Sequence, residues 1–348
     1  MIPTETPAAL GFRMPAEWEP HEATWLSWPH SPGTWPRELA AAGQAWAALA
    51  RTLAAHERVR IAAAPHLHDR VRRCLDGAAN ISVEDIPTDD AWMRDHGATF
   101  LTNPETDELA AIDWRFNAWG GKYPPWDADD RVARAMAELA SCRCFSSDFV
   151  AEGGALEVNG LGTLLATADC LVDQRRNPGC RQTSVEQLLR DYLGVRNIVW
   201  LAGEIAGDDT DGHVDQVARF VNPTTVLCAV ESNPHDVNHE PLEANLRRLR
   251  AAHDQDGAPF EVVPLPMPRP VFDDDYRLPA SYANFYVANG IVVVPAFGDP
   301  LDEVARQIVS EWFPDRETVS LDAYHIVRGF GALHCITQQQ PAGRAMSP

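Results

Sequence analysis

Apolar residues recur three or four positions apart over residues 37–55, 130–140, 183–193, 240–252 and 301–312, the spacing that lines one face of an α-helix. These stretches predict five principal helices, with a weaker sixth over 67–75. Two carry helix-start signals, Thr183-Ser184-Val185-Glu186 and Asp299-Pro300-Leu301-Asp302. β-Branched and aromatic residues crowd instead into short runs at 23–28, 59–63, 110–116, 162–171, 198–201, 214–221, 225–230, 282–287, 291–295 and 333–338, which predict strands. Helices alternate with strands throughout, so the expected architecture is α/β rather than segregated halves. Dividing the length by the helix count gives a unit of about 70 residues holding one helix and several strands. No clean repeat is visible at that period. The pattern fits both a divergent repeat of strand-rich units about an axis and a doubly wound open sheet.

At 348 residues and 45% hydrophobic, the chain can bury a large core, and no Gly/Ser linker or low-complexity tract divides it. One large domain or a tightly fused repeat array follows. The 50 acidic residues against 29 basic ones give a formal charge of -21. Such a surface repels phosphate backbones, which argues against nucleic acid as a partner, and any steering it exerts favours a cation. The N-terminus, Met1-Ile2-Pro3-Thr4-Glu5-Thr6, has no basic stretch followed by an apolar one, and nowhere do about 18 apolar residues run together, so neither export nor a membrane span is expected. The seven scattered cysteines suit a reducing cytoplasm better than a disulfide framework. Cys142 and Cys144 have no second Cys or His pair at zinc-site spacing, and no metal is expected. The motifs of nucleotide-binding folds, serine hydrolases and zinc proteases are missing. A homo-oligomer is left open.

Five clusters, at 88–95, 116–122, 152–154, 207–215 and 329–337, place acid, imidazole or thiol groups among glycines and aromatics. Cys335 is approached by Gly329 and Gly331, and a thiolate is the strongest nucleophile among side chains. The segment alone equally allows a buried structural cysteine. A strand across 333–338 would turn His334 to the face opposite Cys335, which makes it a poor partner. His213 is the better one: in Gly212-His213-Val214-Asp215, strand geometry would send His213 and Asp215 to one face. Asp95 and Glu152 complete an inventory of one thiol, one imidazole and three carboxylates. A planar guanidinium suits that inventory, because its N–H fork matches paired carboxylate acceptors. Trp92, Asp89 and Asp90 are candidates for holding a substrate chain and its distal amine, and Gly331 for close approach.

The set Trp92-Met93-Arg94-Asp95, Glu152-Gly153-Gly154, Arg176-Asn177-Pro178, Gly212-His213-Val214-Asp215, Asn284-Phe285-Tyr286, Pro295-Ala296-Phe297-Gly298-Asp299 and His334-Cys335-Ile336-Thr337-Gln338-Gln339 resembles the agmatine deiminase family. That family lies within the guanidino-group-modifying superfamily, beside the bacterial peptidylarginine deiminases. The likeness runs from Met14-Pro15-Ala16-Glu17-Trp18 to Gln340-Pro341. It implies a single deiminase domain over residues 1–348, with a catalytic core of about 10–342, folded as a five-bladed, pseudo-symmetric α/β propeller of pentein type with the active site on the pseudo-axis. It also implies Cys335 as nucleophile, His213 as general acid/base, Asp95 and Asp215 as guanidinium-binding acids, and Glu152 as the acid that orients and charges the histidine. The implied reaction is hydrolysis of agmatine to N-carbamoylputrescine and ammonia through a covalent thiouronium on Cys335, with neither metal nor organic cofactor.

The chain departs from the family pattern near the nucleophile, where Gly-Gly-Gly-Asn is usual and Gly329-Phe330-Gly331-Ala332 stands. Ala155 and His96 also replace more usual small polar residues. These changes touch substrate choice more than chemistry. Deimination of free or peptidyl arginine or of another guanidinoalkyl amine, amidino transfer to an amine, and silent binding of polyamines therefore stand as alternatives.

Overall fold

The computed structural model describes residues 5–345. Met1–Thr4, on which the reading of the N-terminus mostly rests, lie outside the described residues.

The backbone forms a mixed α/β fold of small separate sheets, which excludes a single doubly wound open sheet. Four of them share one plan. An antiparallel pair comes first, then a helical crossover, then a third strand parallel to the second. The pairs are β4 (Thr99–Thr102) with β5 (Leu109–Arg115), β7 (Glu157–Val158) with β8 (Thr163–Thr167), β10 (Ala218–Asn222) with β11 (Thr225–Val230), and β15 (Tyr286–Ala288) with β16 (Ile291–Ala296). The helices Val132–Leu139, Gln182–Leu193, His239–Ala251 and Asp302–Trp312 lead to the parallel strands β6 (Arg143–Val150), β9 (Asn197–Leu201), β12 (Glu261–Pro266) and β17 (Glu317–Asp322).

A further sheet follows the plan with chain ends exchanged. There β1 (His21–Ser27) runs parallel to β2 (Arg58–Ala63), which runs parallel to β3 (Ile81–Asp85), across the helices Leu39–Ala54 and His68–Leu75. Its antiparallel partner is β18 (Thr337–Pro341), so Leu26 faces Thr337 and His21 faces Pro341. A two-stranded hairpin, β13 (Phe272–Asp273) with β14 (Tyr276–Arg277), stands apart.

Hydrophobic periodicity explains the helices. Leu39–Ala54 buries Ala42, Trp46, Leu49, Ala50 and Leu53 along one stripe, and Gln182–Leu193 buries Val185, Leu189 and Leu193. The latter begins one residue before the predicted cap, with Arg181 and Ser184 exchanging the capping hydrogen bonds. The middle strands are apolar on both faces, β8 being buried throughout, because each is covered by its helix outside and by neighbouring units inside.

Three predicted strands are shorter than their apolar runs. Residues 214–216 form a 3-10 turn, 282–285 are coil and turn, and 333–336 form a turn ahead of β18. Their apolar side chains are buried because these segments lie inside the molecule rather than in a ladder. Similarly, 168–171 close into a helical turn after β8. The strands without an apolar run, such as β17 (exposed at Glu317, Ser320 and Asp322, with no residue fully buried), lie at sheet edges where cover is partial. No helix among the described residues is long and apolar enough to cross a membrane.

Candidate active site

The chemically distinctive residues recur at one structural position, the segment that enters the first strand of a unit. Asp95 precedes β4, Glu152 precedes β7, His213 and Asp215 precede β10, Asn284 precedes β15 and Cys335 precedes β18. All six are buried. Gly154 marks the junction: a Cβ there would come within 2.5 Å of His213 Nδ1, 3.0 Å of Asp95 Oδ1 and 3.2 Å of Asp215 Oδ2. Only a residue without a side chain lets these groups meet.

Cys335 sits at the bottom of a cavity of about 100 Å³. Trp92, Trp119, Tyr123 and Phe330 supply aromatic wall, and Asp90, Asp95 and Asp209 supply carboxylates. No lysine, arginine or histidine lines it among the described residues. The thiol is held by Asn284, whose Oδ1 accepts from the backbone N–H groups of His334 (3.0 Å) and Cys335 (3.3 Å). That fixes the amide and leaves Nδ2 3.3 Å from Sγ, a donor suited to a thiolate. Burial pushes the Cys335 thiol well above its ordinary value, and the charges of Asp215 and Asp95 push it further.

His213 is fully buried between two acids, with Nδ1 3.6 Å from Asp95 Oδ1 and Nε2 3.8 Å from Glu152 Oε2. These separations carry charge attraction but not hydrogen bonds, and both ring nitrogens lack a hydrogen-bond partner. Burial opposes the charged ring, yet Asp95, then Cys170 and Glu152, push the imidazole well above its ordinary value. Asp95 is raised, first by burial and then by Asp215 and Glu152 against the pull of His213. Trp119 Nε1 and the Gly154 N–H donate to it, at 3.0 and 3.2 Å. Burial also opposes ionisation of Glu152, but Arg176 and His213 outweigh it and hold the carboxyl down to about 2. The fully buried guanidinium of Arg176 donates to Glu152 Oε1 (2.8 Å), Asp211 Oδ2 (2.8 Å) and Thr210 O (2.6 Å), and so ties Glu152 to the loop that delivers His213.

The expected strand face shared by His213 and Asp215 does not exist. Val214–Gln216 is a 3-10 turn, and the two side chains reach the same centre by that turn instead. Likewise Cys335 and His334 occupy a turn rather than alternate faces of a strand. His334 Nδ1 pairs with Asp215 Oδ2 at 2.7 Å, and that oxygen lies 3.8 Å from Cys335 Sγ. Glu17 closes the far side, 2.7 Å from His334 Nε2.

Trp92 lines the cavity with one edge and packs its rest on Trp35 and Trp46, at centroid distances of 5.6 and 6.5 Å. Gly331 lets Trp92 approach, since a Cβ there would fall 2.3 Å from its ring. Asp90 lines the cavity, accepting from Thr34 Oγ1 at 2.9 Å. Asp89 does not: its carboxylate accepts from the Ala128 N–H at 2.7 Å and organises the loop behind. His96 also faces away, onto Ser27 Oγ (2.8 Å) and Asp129 (3.4 Å).

Residue patterns did not single out Trp119, Tyr123, Asp209, Cys170, Glu17 or Gln216. Trp119 and Tyr123 stand in or beside an aromatic-rich cluster and Asp209 in an acidic one, but nothing in sequence joins the two. Tyr123 hydrogen-bonds Asp209 across the cavity mouth. Ala118, Trp119, Asp211 and Phe330 all hold left-handed backbone (φ 50°, 55°, 62° and 76°), a concentration of strain around this one site.

Glu152, Cys170 and His213 offer ligand atoms within 4.8 Å of one another, the one such trio among the described residues. Arg176 already occupies that carboxylate, and burial pushes the Cys170 thiol up to about 11, so it stands as a hydrogen-bond donor to Glu152 Oε2 at 3.5 Å. Cys142 and Cys144 belong to no such group. All seven cysteines are free.

The family description of the Porphyromonas-type peptidyl-arginine deiminases matches residues 13–341. An agmatine deiminase of Pseudomonas aeruginosa (strain LESB58) is 42% identical over 365 aligned positions, covering 98% of this chain and 99% of that protein. The structure of an agmatine deiminase of Enterococcus faecalis superposes with a TM-score of 0.92 at 34% identity, covering 98% of this chain and 99% of that one. That of a C. jejuni agmatine deiminase, with a cysteine-to-serine substitution and substrate bound, superposes with a TM-score of 0.88 at 29% identity, covering 95% and 97%.

Proposed function

We infer the reaction of this chain from two facts together: it belongs to the Porphyromonas-type peptidyl-arginine deiminase family, and its cavity joins a buried thiol to carboxylates and aromatic walls without a basic side chain. It is a hydrolase of the C–N bond of a linear amidine, converting agmatine to N-carbamoylputrescine and ammonia. The observation that carries agmatine over arginine is the lining itself. Asp90 suits a distal ammonium, whereas the α-carboxylate of arginine would meet that acid and no basic side chain in the lining, Lys122 being spent behind the wall on Asp209 (3.5 Å) and Asp211 (2.9 Å).

Asp95 and Asp215 accept the guanidinium N–H groups, and the aromatic walls cover the alkyl chain. Burial, then Asp215 and Asp95, keep Cys335 protonated; the arriving cation offsets the two charges, so the thiol releases its proton to solvent and the thiolate forms beside the guanidinium. Sγ adds to the guanidinium carbon. As the adduct collapses, the charged His213 gives its proton to the departing nitrogen, the C–N bond breaks and ammonia leaves a thiouronium on Cys335. The now neutral His213 takes a proton from water as the oxygen adds to that carbon. The C–S bond then breaks as the hydroxyl proton of the adduct passes to sulfur, releasing the ureido product and the free thiol. Glu152, held ionised by Arg176, keeps His213 charged between turnovers.

We read the five three- and four-stranded units as blades of a pseudo-symmetric propeller around this site, and residues 1–348 as one domain with its core at about 10–342. The recurrence of site residues at strand entrances and the β18–β1 pairing support that reading. Seven free cysteines support a cytoplasmic setting.

The test is a product assay. Purified protein given agmatine, free arginine, an arginyl peptide or agmatine with excess amine acceptor should release ammonia and N-carbamoylputrescine from agmatine, with kcat/KM for arginine lower by roughly 100-fold or more. Preference for arginine, or capture of the amidino group by the amine, would overturn the assignment.

A further inference from the structure

Glu17 and His334 carry no step of the reaction above, yet they are tied directly to it. His334 Nδ1 lies 2.7 Å from Asp215 Oδ2 and Nε2 lies 2.7 Å from Glu17 Oε2, with all three side chains buried. Both contacts are hydrogen bonds only if the ring carries two protons or one acid carries a proton. Glu17 is poorly placed to hold one. Its Oε1 accepts from Arg219 Nη2 and the Val287 N–H, each at 2.8 Å, and Arg94 Nη2 approaches Oε2 at 3.3 Å. Burial opposes ionisation of both acids, but Arg219 and His334 at Glu17, and His334 and His213 at Asp215, hold each below its ordinary value. With two protons on the ring, each nitrogen donates to a carboxylate and both 2.7 Å contacts are hydrogen bonds.

The remaining oxygen of Asp215, Oδ1, is buried without a protein partner. Three acids, Asp95, Glu152 and Asp215, crowd one imidazole; Arg176 balances Glu152, and the two aspartates remain so close that like charges would drive a proton onto one of them unless a further cation balances the pair. The turn at 333–336 supplies that cation. It sends Cys335 toward the cavity and His334 toward Asp215 and Glu17, with Asn284 Oδ1 holding both backbone N–H groups.

We propose that His334 is a positioning residue for substrate binding: an imidazolium pinned between Glu17 and Asp215 that keeps the Asp215 carboxylate charged and fixed, with Oδ1 open to the guanidinium. This rests on reading Asp215 as a guanidinium-binding acid. The Tyr286 ring lies 6.5 Å from that of His334, and Arg94 lies 6.0 Å from the Tyr286 ring centre.

The experiment measures agmatine Kd by calorimetry in a Cys335→Ser background, where no turnover intervenes, together with KM and kcat in the active protein. His334→Gln is expected to weaken binding about 10-fold or more and to raise KM by a similar factor, with a smaller change in kcat. Adding His334→Gln to Asp215→Asn is expected to change Kd by less than about 2-fold, since the two act through one carboxylate. An unchanged Kd in a His334→Gln protein of parental Tm overturns the proposal, as does full additivity with Asp215→Asn. If His334→Gln does not fold, Glu17→Gln decides in the same assay, with weaker binding expected and unchanged binding overturning it. Parental protein that binds agmatine but releases no ammonia refutes the reaction and not the role of His334. Absence of any agmatine binding overturns both.

Discussion

His213 Nδ1 stands 3.6 Å from Asp95 Oδ1, close enough to feel its charge and too far to share a proton. The gap is set by Gly154, whose Cα faces both groups. Gly154→Ala forces its methyl to within 2.5 Å of His213 Nδ1 and displaces the ring. A shift near 1 Å at a reacting group costs on the order of 100-fold. Steady-state kinetics should show kcat lowered by about that factor with far-UV circular dichroism unchanged. Retained kcat would show that the imidazole position is not critical.

Cys335 is raised by burial and by Asp215 and Asp95, so the unliganded thiol is protonated at neutral pH. A neutral haloacetamide should alkylate it slowly at pH 7 and still accelerate above pH 9. A cationic haloacetamidine should react faster, with its rise displaced to lower pH, because its charge offsets the two carboxylates. Identical pH profiles for the two reagents would sink the cation-dependent activation.

Burial, chiefly, and the nearby Asp129 push the Asp90 carboxyl up to about 6. Above that pH it is charged and attracts a distal ammonium; below it the attraction is lost. KM for agmatine should therefore rise as pH falls through about 6 while kcat follows other groups. Asp90→Asn should have a high KM already at pH 7.5 and a flat KM between pH 7.5 and 5.5. A KM as low as the parent's would remove Asp90 from the substrate site.

Phe330 holds φ at 76°, a conformation glycine adopts without cost, and its ring meets Tyr276 edge-on at 5.4 Å over the cavity mouth. Phe330→Gly relieves backbone strain of about 1 kcal/mol and opens the mouth. It should lower KM for wider guanidines, such as an arginyl peptide, relative to agmatine. Selectivity that stays the same across a substrate panel would assign Phe330 to packing alone.

The helices and middle strands were legible because each is an apolar stripe or run with the period of its element: the spacing over 301–312 meets Asp302–Trp312, and 225–230 coincides with β11. What was not legible is the class of segment that matters most. Residues 214–216, 282–285 and 333–336 have strand-like composition, yet they are buried turns held by contacts remote in sequence: Gly154 and Arg176 beside the first, the Ser281–Gln216 hydrogen bond at the second and Asn284 on the third. Chemical type alone could gather Cys335, His213, Asp95, Glu152 and Asp215. It could not find His334, because its role depends on Glu17, whose carboxylate comes from the opposite end of the chain. Asp89 and Asp90 are adjacent in sequence and differ only in where the loop turns them, one to Ala128 and one to the cavity.

The pairing of β18 with β1 gives the order of synthesis a meaning. A growing chain emerges with Asp95, Glu152, His213 and Asp215 already made, and Cys335 follows them all. Until it and β18 appear, β1 keeps an unpaired antiparallel edge, a hazard for misassociation on a crowded ribosome. The same late segment caps the edge and delivers the proposed nucleophile, so on that reading nascent fragments are catalytically silent and activity starts with the act that completes the first sheet.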